Sequence, residues 1–382
     1  MGQGVPTSLA MMAAEEMEAD WSKVRTLEAP ALDEYANGYV IRAAGGNYIP
    51  AVMARGVDYA GYKIAEWFGF QVTGGSSSVR GTGEYGMRVA GAAAKEMLVA
   101  AAAQKLGVDA STLTAANSTV THAASGRSLS YGDLAQAAAA LPVPTSPALK
   151  DPSRFTIRRT SKPRLDLPAK VDGTAQYAID VVLPGMLYAA LDMAPVQGGT
   201  LQSVDTAPAE SMPGVKKVVK LDSGVAVIAD SFWRARKALA ALKPVYTNGG
   251  HGDVSTASIF AAFDAALGAG PDVPSGVAKV VKADYRAPFL AHATMEPMVC
   301  TAKHEGAHCE IWTGVQDPLN ARSVAAKALG FDTSQITLHN HLLGGGFGRR
   351  LPPRAADRGA ALQGGAREGR ADVGVGHAAP AG

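Results

Sequence analysis

Residues 336–350 read ITLHNHLLGGGFGRR. Ile336 to His341 has the character of a strand, which runs out at Leu342-Leu343 into Gly344-Gly345-Gly346-Phe347-Gly348-Arg349-Arg350. Glycine lets a ligand approach the main chain, and successive backbone N–H groups make an anion nest. Arg349 and Arg350 beside such a nest can neutralise phosphate or serve structural pairing. The loop matches neither the Rossmann G-x-G-x-x-G nor the Walker pattern with its following Lys and Ser/Thr. Just upstream, Cys309 to Thr313 reads as a strand and Pro318 to Leu329 as a helix.

Two more small-residue loops lie outward from this one. Gly2-Gln3-Gly4 precedes a helical pattern from Leu9 to Asp20, in which Leu9, Met12, Ala13 and Met17 share a face and Glu15 and Glu18 lie off it. Thr73-Gly74-Gly75-Ser76-Ser77-Ser78 feeds an Ala-rich helix, about Gly83 to Leu106, with Gly107 as its C-terminal cap. Trp21 to Leu27 alternates like a strand, and Asp33 to Phe70 reads as a long loop with one short helix near Tyr59 to Phe68. Ser118 to His122 is strand-like, and Ser130 with Asp133 forms an acidic capping box for a helix from Tyr131. Pro142, Pro144, Pro147 and Pro152 mark a linker. Beyond it, Ala175 to Val182 and Met186 to Met193 read as paired strands, Val215 to Leu221 and Val225 to Ala229 as short strands, and Ser231 to Leu242 as a helix. Val277 to Tyr285 alternates, as a strand would. The mixture predicts an α+β fold.

Composition narrows the function. The chain has 382 residues, 47% of them hydrophobic and 18% charged, enough for two or three cored domains and too apolar for a disordered polyelectrolyte. A net charge of +2 offers no broad electrostatic footprint for nucleic acid or anionic membrane. No run of about 18 apolar residues is present to span a membrane. No export signal is visible at Met1-Gly2-Gln3-Gly4, and the compartment stays open, cytoplasmic by default and periplasmic as the alternative. After Leu351 the pattern changes: 23 of the 31 residues from Pro352 to Gly382 are Ala, Gly, Arg or Pro, a composition that cannot bury an apolar face. This tail is expected to be disordered, and its abrupt onset suggests a gene read out of frame.

Other chemistries are weaker. Cys300, His304, His308 and Cys309 carry ligand types that zinc prefers. The stretch nevertheless reads as two strands around Glu305-Gly306-Ala307, which places Cys309 and His308 on opposite faces, and the spacing departs from the usual zinc pattern. His292, His339 and His341 sit in apolar strand contexts. No Gly-x-Ser-x-Gly elbow or His-Glu-x-x-His occurs.

Taken in order, the motifs are specific. They are Gly2-Gln3-Gly4, TGGSSSVRG at 73–81, KPRLDLPAKVDGTAQYAID at 162–180, LAHATMEP at 290–297, Val315-Gln316-Asp317-Pro318, and GGGFGRR at 344–350. Over roughly residues 1–351 the chain resembles the molybdopterin-binding subunits of the xanthine oxidase family. Within that family it is nearest to the isoquinoline 1-oxidoreductase beta and aldehyde-dehydrogenase-type group, in which the Gly-Gln-Gly loop comes first. The resemblance implies part of a molybdenum-cofactor-binding domain over 1–141, a linker over 142–157 and a small α/β hammerhead domain over 158–245. A second part of the cofactor-binding domain follows over 246–351, then the tail over 352–382.

It also implies a molybdenum hydroxylase that oxidises an N-heterocycle or aldehyde with water-derived oxygen. The cofactor would be molybdenum-molybdopterin in its cytosine dinucleotide form. It would be held by Gly2, Gln3, Gly4, Gly75, Ser76, Ser78, Gln316, Gly346, Phe347, Gly348 and Arg349, with Gln316 bonded to an oxo ligand and Phe347 walling the site. Two [2Fe-2S] clusters would sit on a small partner subunit, since two cysteines cannot hold one. Glu296 would be a buried structural glutamate. The family's general base lies in a C-terminal segment that this sequence lacks, so no catalytic residue is assigned and the chain alone is expected to be inactive. The position of a purine-binding glutamate is Leu351, which argues against purine-like substrates. The chain thus reads as truncated at both ends, and an inactive fragment is the alternative.

Overall fold

The computed structural model describes residues 2–39, 51–72, 76–196, 198–268, 272–281, 283–287, 290, 293–351 and 372–373, with the backbone alone at 51–52, 54–55, 76–78 and 372–373. They fall into two compact units, residues 1–181 with 305–345 and residues 182–304 with 346–382.

In the first unit, helix α1 (Val5–Met17) opens on Gly4 at φ 86° with a proline in its first turn, a position where the missing N–H costs no helical bond. Helix α2 spans Ala51–Phe68. Helix α3 (Ser76–Gly81), a π-helical turn (Thr82–Met87) and helix α4 (Arg88–Leu106) form one rod, ended by Gly107 in the left-handed conformation. The rod packs on α1 through glycines. A Cβ on Gly83 would sit 2.0 Å from Met12 Sδ, and one on Gly91 would sit 2.5 Å from the Ala13 carbonyl oxygen. Gly91→Ala should therefore destabilise the unit by about 1–2 kcal/mol in urea unfolding, although alanine is the better helix former, because overpacking against backbone outweighs propensity. A variant as stable as the parent would show that the two helices can part.

Strands β1 (Leu113–Ala116), β2 (Thr119–His122) and β3 (Arg127–Ser130) form an antiparallel meander. Helix α5 (Tyr131–Ala139) starts on the Ser130/Asp133 capping box read from the sequence. Leu98, Ala101, Ala102, Val120, Leu134 and Ala138 make one core. A short helix α6 (Leu167–Asp172) follows.

The second unit holds β4 (Tyr188–Met193), β5 (Leu201–Ser203), helix α7 (Ala207–Glu210), β6 (Val215–Leu221), β7 (Gly224–Ala229), helix α8 (Phe232–Ala241), β8 (Val245–Tyr246), helix α9 (Thr256–Leu267) and β9 (Cys300–Glu305). Strands β4 and β6 flank β7, both antiparallel to it. Ala209, Val225, Val227, Ala238 and Leu242 are buried between sheet and helices. The chain then returns to the first unit with β10 (His308–Thr313), helix α10 (Pro318–Leu329) and β11 (Ile336–Asn340), in which β10 and β11 pair in parallel.

Several elements differ from the sequence reading, each for a local reason. Trp21–Lys23 is a 3-10 turn because the Asp20 carboxylate accepts from both the N–H and the hydroxyl of Ser22. Helix α2 is 18 residues long, not a short helix in a loop. Its inner face is small: a Cβ on Gly38 would lie 2.3 Å from the Gly61 carbonyl carbon, and Ala65 is buried. Ala178–Asp180 is a 3-10 turn, closed where Asp180 accepts the Tyr177 N–H, so β4 pairs with β7 instead of with residues 175–182. Among the described residues, 277–281 and 283–285 carry no strand. Glu15 does not lie off the buried face of α1; it and Glu16 are fully buried. The tail falls outside the described residues, except for a two-residue strand, Asp372–Val373, against β4.

Candidate cofactor site

The site begins at the carboxyl end of a parallel strand pair. Thr313 and Asn340 stand opposite one another at the ends of β10 and β11. The His341 N–H donates to the Thr313 carbonyl at 2.9 Å, and the Val315 N–H to Asn340 Oδ1 at 3.0 Å. These bonds hold together the two turns that leave the sheet at this end, Gly314–Asp317 and Leu342–Gly345. In open α/β arrangements ligands collect outside the carboxyl ends of strands. Gln316 lies in the first of these turns. Its Oε1 is buried and has no hydrogen-bond partner among the described residues, and a buried polar atom left in that state calls for a partner.

Asp317 follows, 4% exposed. Its Oδ1 accepts the Gln71 N–H at 2.9 Å, so the turn is tied to the segment that leads into the Thr73–Ser78 loop. Gly75 itself lies outside the described residues, and of Ser76 and Ser78 only the helical backbone is described.

The Gly2-Gln3-Gly4 loop is fastened by the segment around Arg164. Arg164 Nη1 donates to the Gly2 carbonyl at 2.5 Å, and the Leu165 N–H to Thr7 Oγ1 at 3.0 Å. Arg164 also grips Asp166 with two bonds, of 2.9 and 2.7 Å, and Lys170 adds a third of 2.5 Å. The Arg164 guanidinium, with Lys170, holds the Asp166 carboxyl well below the usual carboxylate range despite partial burial. Gly83 meets Met12 and Leu9, while Gly91 meets Ala13 and Glu16. α1 and the rod therefore run in the same sense, so Gly4 and Ser76 lie at the same end of the helix pair. Two helix starts facing one way favour anionic groups.

In the second unit, Gly346 is buried and Gly348 and the half-buried Arg349 continue the turn. Phe347 is 66% exposed and takes a left-handed φ of 50°, with Gly348 at 82°. The Arg349 N–H closes the turn on the Gly346 carbonyl at 2.8 Å. Of the two roles open to Arg350, the geometry shows pairing. Its guanidinium meets Glu296 Oε2 at 2.9 Å and the Glu296 carbonyl at 2.7 Å, with both side chains buried. Burial pulls the Arg350 pKa down while Glu296 opposes that shift. Glu296 is thus the buried structural glutamate that the sequence suggested.

No group of three or more His, Cys, Asp or Glu side chains able to hold a metal ion occurs among the described residues. His339 stacks on Trp312 at 5.0 Å and contacts Glu310 at 3.1 Å. No helix among the described residues is long and apolar enough to cross a membrane. Sequence reasoning missed that Gln71 and Asp317 tie the Gln316 turn to the segment before Thr73. The available signal was weak: an aspartate directly after Gln316, and a glutamine two residues before Thr73.

Residues 262–362 match the molybdopterin cofactor-binding domain family, a match that runs past Leu351. The chain is 31% identical over 415 residues to isoquinoline 1-oxidoreductase subunit beta of Brevundimonas diminuta, an alignment covering 93% of this chain and 49% of the relative. It is 32% identical over 380 residues to a membrane-bound aldehyde dehydrogenase [pyrroloquinoline-quinone] of Gluconacetobacter polyoxogenes, covering 92% of this chain and 44% of the relative. Quinoline 2-oxidoreductase from Pseudomonas putida 86 superposes on 55% of this chain and 33% of its own, with a TM-score of 0.36 and 19% identity. In sequence the chain is similar to the molybdopterin-binding subunits of the xanthine oxidase family. It spans about half the length of the two relatives named. The residues present are compatible with a molybdenum-pterin group: a carboxamide oxygen without a donor sits at the carboxyl end of the strands, in a turn tied to the glycine-containing turn Leu342–Gly345.

Proposed function

We propose that this chain is the cofactor-binding portion of a molybdenum hydroxylase acting on an N-heterocycle or an aldehyde, as the names of its relatives suggest. The observation that carries this reading is Gln316, whose buried Oε1 lacks a partner where the parallel strands end. Gln316 Oε1 would accept from an N–H or O–H of the bound group, and its Nε2 would be the donor to an oxo ligand. Gly2, Gln3, Gly4, Gly75, Ser76 and Ser78 would hold the pterin and its nucleotide, proposed as the cytosine form. Gly346, Phe347, Gly348 and Arg349 would wall the site and offer backbone N–H groups to its anions. The metal and its pterin, when bound, supply oxygen insertion and accept two electrons. The chain's own part is to hold the group, orient it and exclude water around it. The electrons would leave through a small [2Fe-2S] subunit, because Cys300 and Cys309 are too few to hold a cluster.

The test is metal and pterin analysis of the chain purified from a bacterium that makes the cofactor. Molybdenum with pterin is expected, and Gln316→Ala should retain about 10- to 100-fold less, the loss expected for a hydrogen bond to a charged group. A parent chain free of both would overturn the reading. The isolated chain is expected to show no turnover. Measurable oxidation of isoquinoline would contradict that expectation.

A further inference from the structure

Three buried polar residues of the first unit lie where the cofactor loops begin, and none of them belongs to a glycine motif. Asn37, Gln71 and Asp317 are each about 5% exposed. Asp317 is the N-cap of α10, yet its side chain does not cap that helix. An N-cap aspartate ordinarily satisfies its helix's first N–H groups. Here Oδ1 accepts the N–H of Gln71, 246 positions away. Gln71 is held from its other side, where Nε2 donates to the Pro30 carbonyl at 2.9 Å. Asn37 then closes the base of the loop. Its N–H donates to the Phe70 carbonyl at 2.8 Å, and its Nδ2 to the Val72 carbonyl at 2.8 Å and to Thr82 Oγ1 at 2.9 Å. Val72 and Thr82 flank the stretch 73–81 on either side, so one carboxamide joins both ends. Arg322 of α10 also donates to the Ala31 carbonyl at 2.8 Å, which pins the same strap, residues 30–37, to the helix that follows Gln316.

We infer that Asp317 and Asn37 are positioning residues of the cofactor site. Asp317 locks the Gln316 turn to the strut Phe70–Val72, and Asn37 fixes the span of the Thr73–Ser78 loop. The inference rests on the function proposed above. Its chemistry is geometric. Gln316 and the loop come from segments about 240 residues apart in sequence, and a bound group that touches both needs their separation set before it arrives. Displacements of about 1 Å at such a site are enough to cost two orders of magnitude in function. The bond to Gln71 needs only an acceptor at Oδ1, whereas the bonds from Asn37 need its two amide hydrogens.

The experiment uses the full chain and the variants Asp317→Ala, Asp317→Asn and Asn37→Ala, with two readouts. Amide hydrogen exchange over residues 70–82 reports the clamp without cofactor. Molybdenum and pterin content reports positioning. In Asp317→Ala and Asn37→Ala, exchange should rise at least about 10-fold over that segment, and cofactor content should fall at least about fivefold. Asp317→Asn keeps an acceptor oxygen and should retain parental values in both. Should Asp317→Ala fail to fold, Asn37→Ala tests the same clamp from the other strap. Parental exchange in Asn37→Ala, or loss in Asp317→Asn as large as in Asp317→Ala, overturns the inference. So does full cofactor content in both alanine variants of a loaded chain. A parent chain without cofactor removes the functional reading and the positioning role with it.

Discussion

Replacing Glu15 with glutamine is expected to cost the first unit about 3–5 kcal/mol, the loss seen when one partner of a buried ion pair is removed. Glu15 is fully buried on α1. Its carboxylate takes a salt bridge from Lys150 Nζ at 2.6 Å and the backbone N–H groups of Thr156, Ile157 and Arg158 at 3.0, 2.7 and 2.7 Å. Burial pushes its pKa up, but Lys150 and the three N–H groups together outweigh burial and hold it at about 2. Glu16, also buried, accepts from Arg88 at 2.6 Å and from the Lys150 N–H at 2.7 Å, so the proline-rich segment is strapped onto α1 by charge. A carboxylate whose pKa is depressed on folding contributes stability above its unfolded value, near 4.5, and loses it as pH falls toward about 2. That interval corresponds to about 3 kcal/mol. Urea midpoints measured between pH 5 and pH 2 should fall steeply for the parent and much less for Glu15→Gln. Parallel curves would assign the acid sensitivity to other groups.

That network marks the limit of what could be read in advance. Periodicity and caps identified α4 with its Gly107 cap, α5 with its capping box, and α8, because those features are local. The strand–helix–strand run from 308 to 340 was legible for the same reason, and it places Gln316. What escaped was non-local. Nothing near Glu15 reveals that Lys150 will meet it, and an acidic residue off an apolar face is ordinarily solvated. Trp21–Lys23 and Ala178–Asp180 misread as strands because one aspartate bond closes a turn in each. Asn37 and Gln71 carry no motif, and Asp317 stands in one only as the neighbour of Gln316; what sets the three apart is bonds that span tens to hundreds of residues. Glycine loops advertise where a ligand touches the backbone, while the residues that hold those loops still look like ordinary polar residues.

Arg350→Met should be comparably severe in the second unit, at about 3–5 kcal/mol, because it leaves the Glu296 carboxylate buried without its cation. The Arg350–Glu296 pair is 2% and 5% exposed at its side chains, with a 2.9 Å ion pair and a second bond to the Glu296 carbonyl. It anchors the end of the Gly346–Arg349 turn, in which Phe347 occupies a left-handed φ of 50°, a conformation that costs a non-glycine residue about 1–2 kcal/mol. With the anchor gone, less offsets that strain, and the turn should relax along with the backbone N–H groups proposed to face the cofactor. Glu296→Gln keeps an acceptor oxygen for Arg350 but leaves its guanidinium buried without a countercharge, so a comparable loss is expected. The double variant Glu296→Leu/Arg350→Met should recover much of the loss, because replacing both ions by apolar groups removes the unpaired charge instead of creating one. A thermal-unfolding double-mutant cycle measures this directly. Additive losses would mean that Arg350 and Glu296 act independently, whereas a strong positive coupling, with faster hydrogen exchange at residues 346–350 in Arg350→Met alone, would show that the pair holds the turn in its strained form.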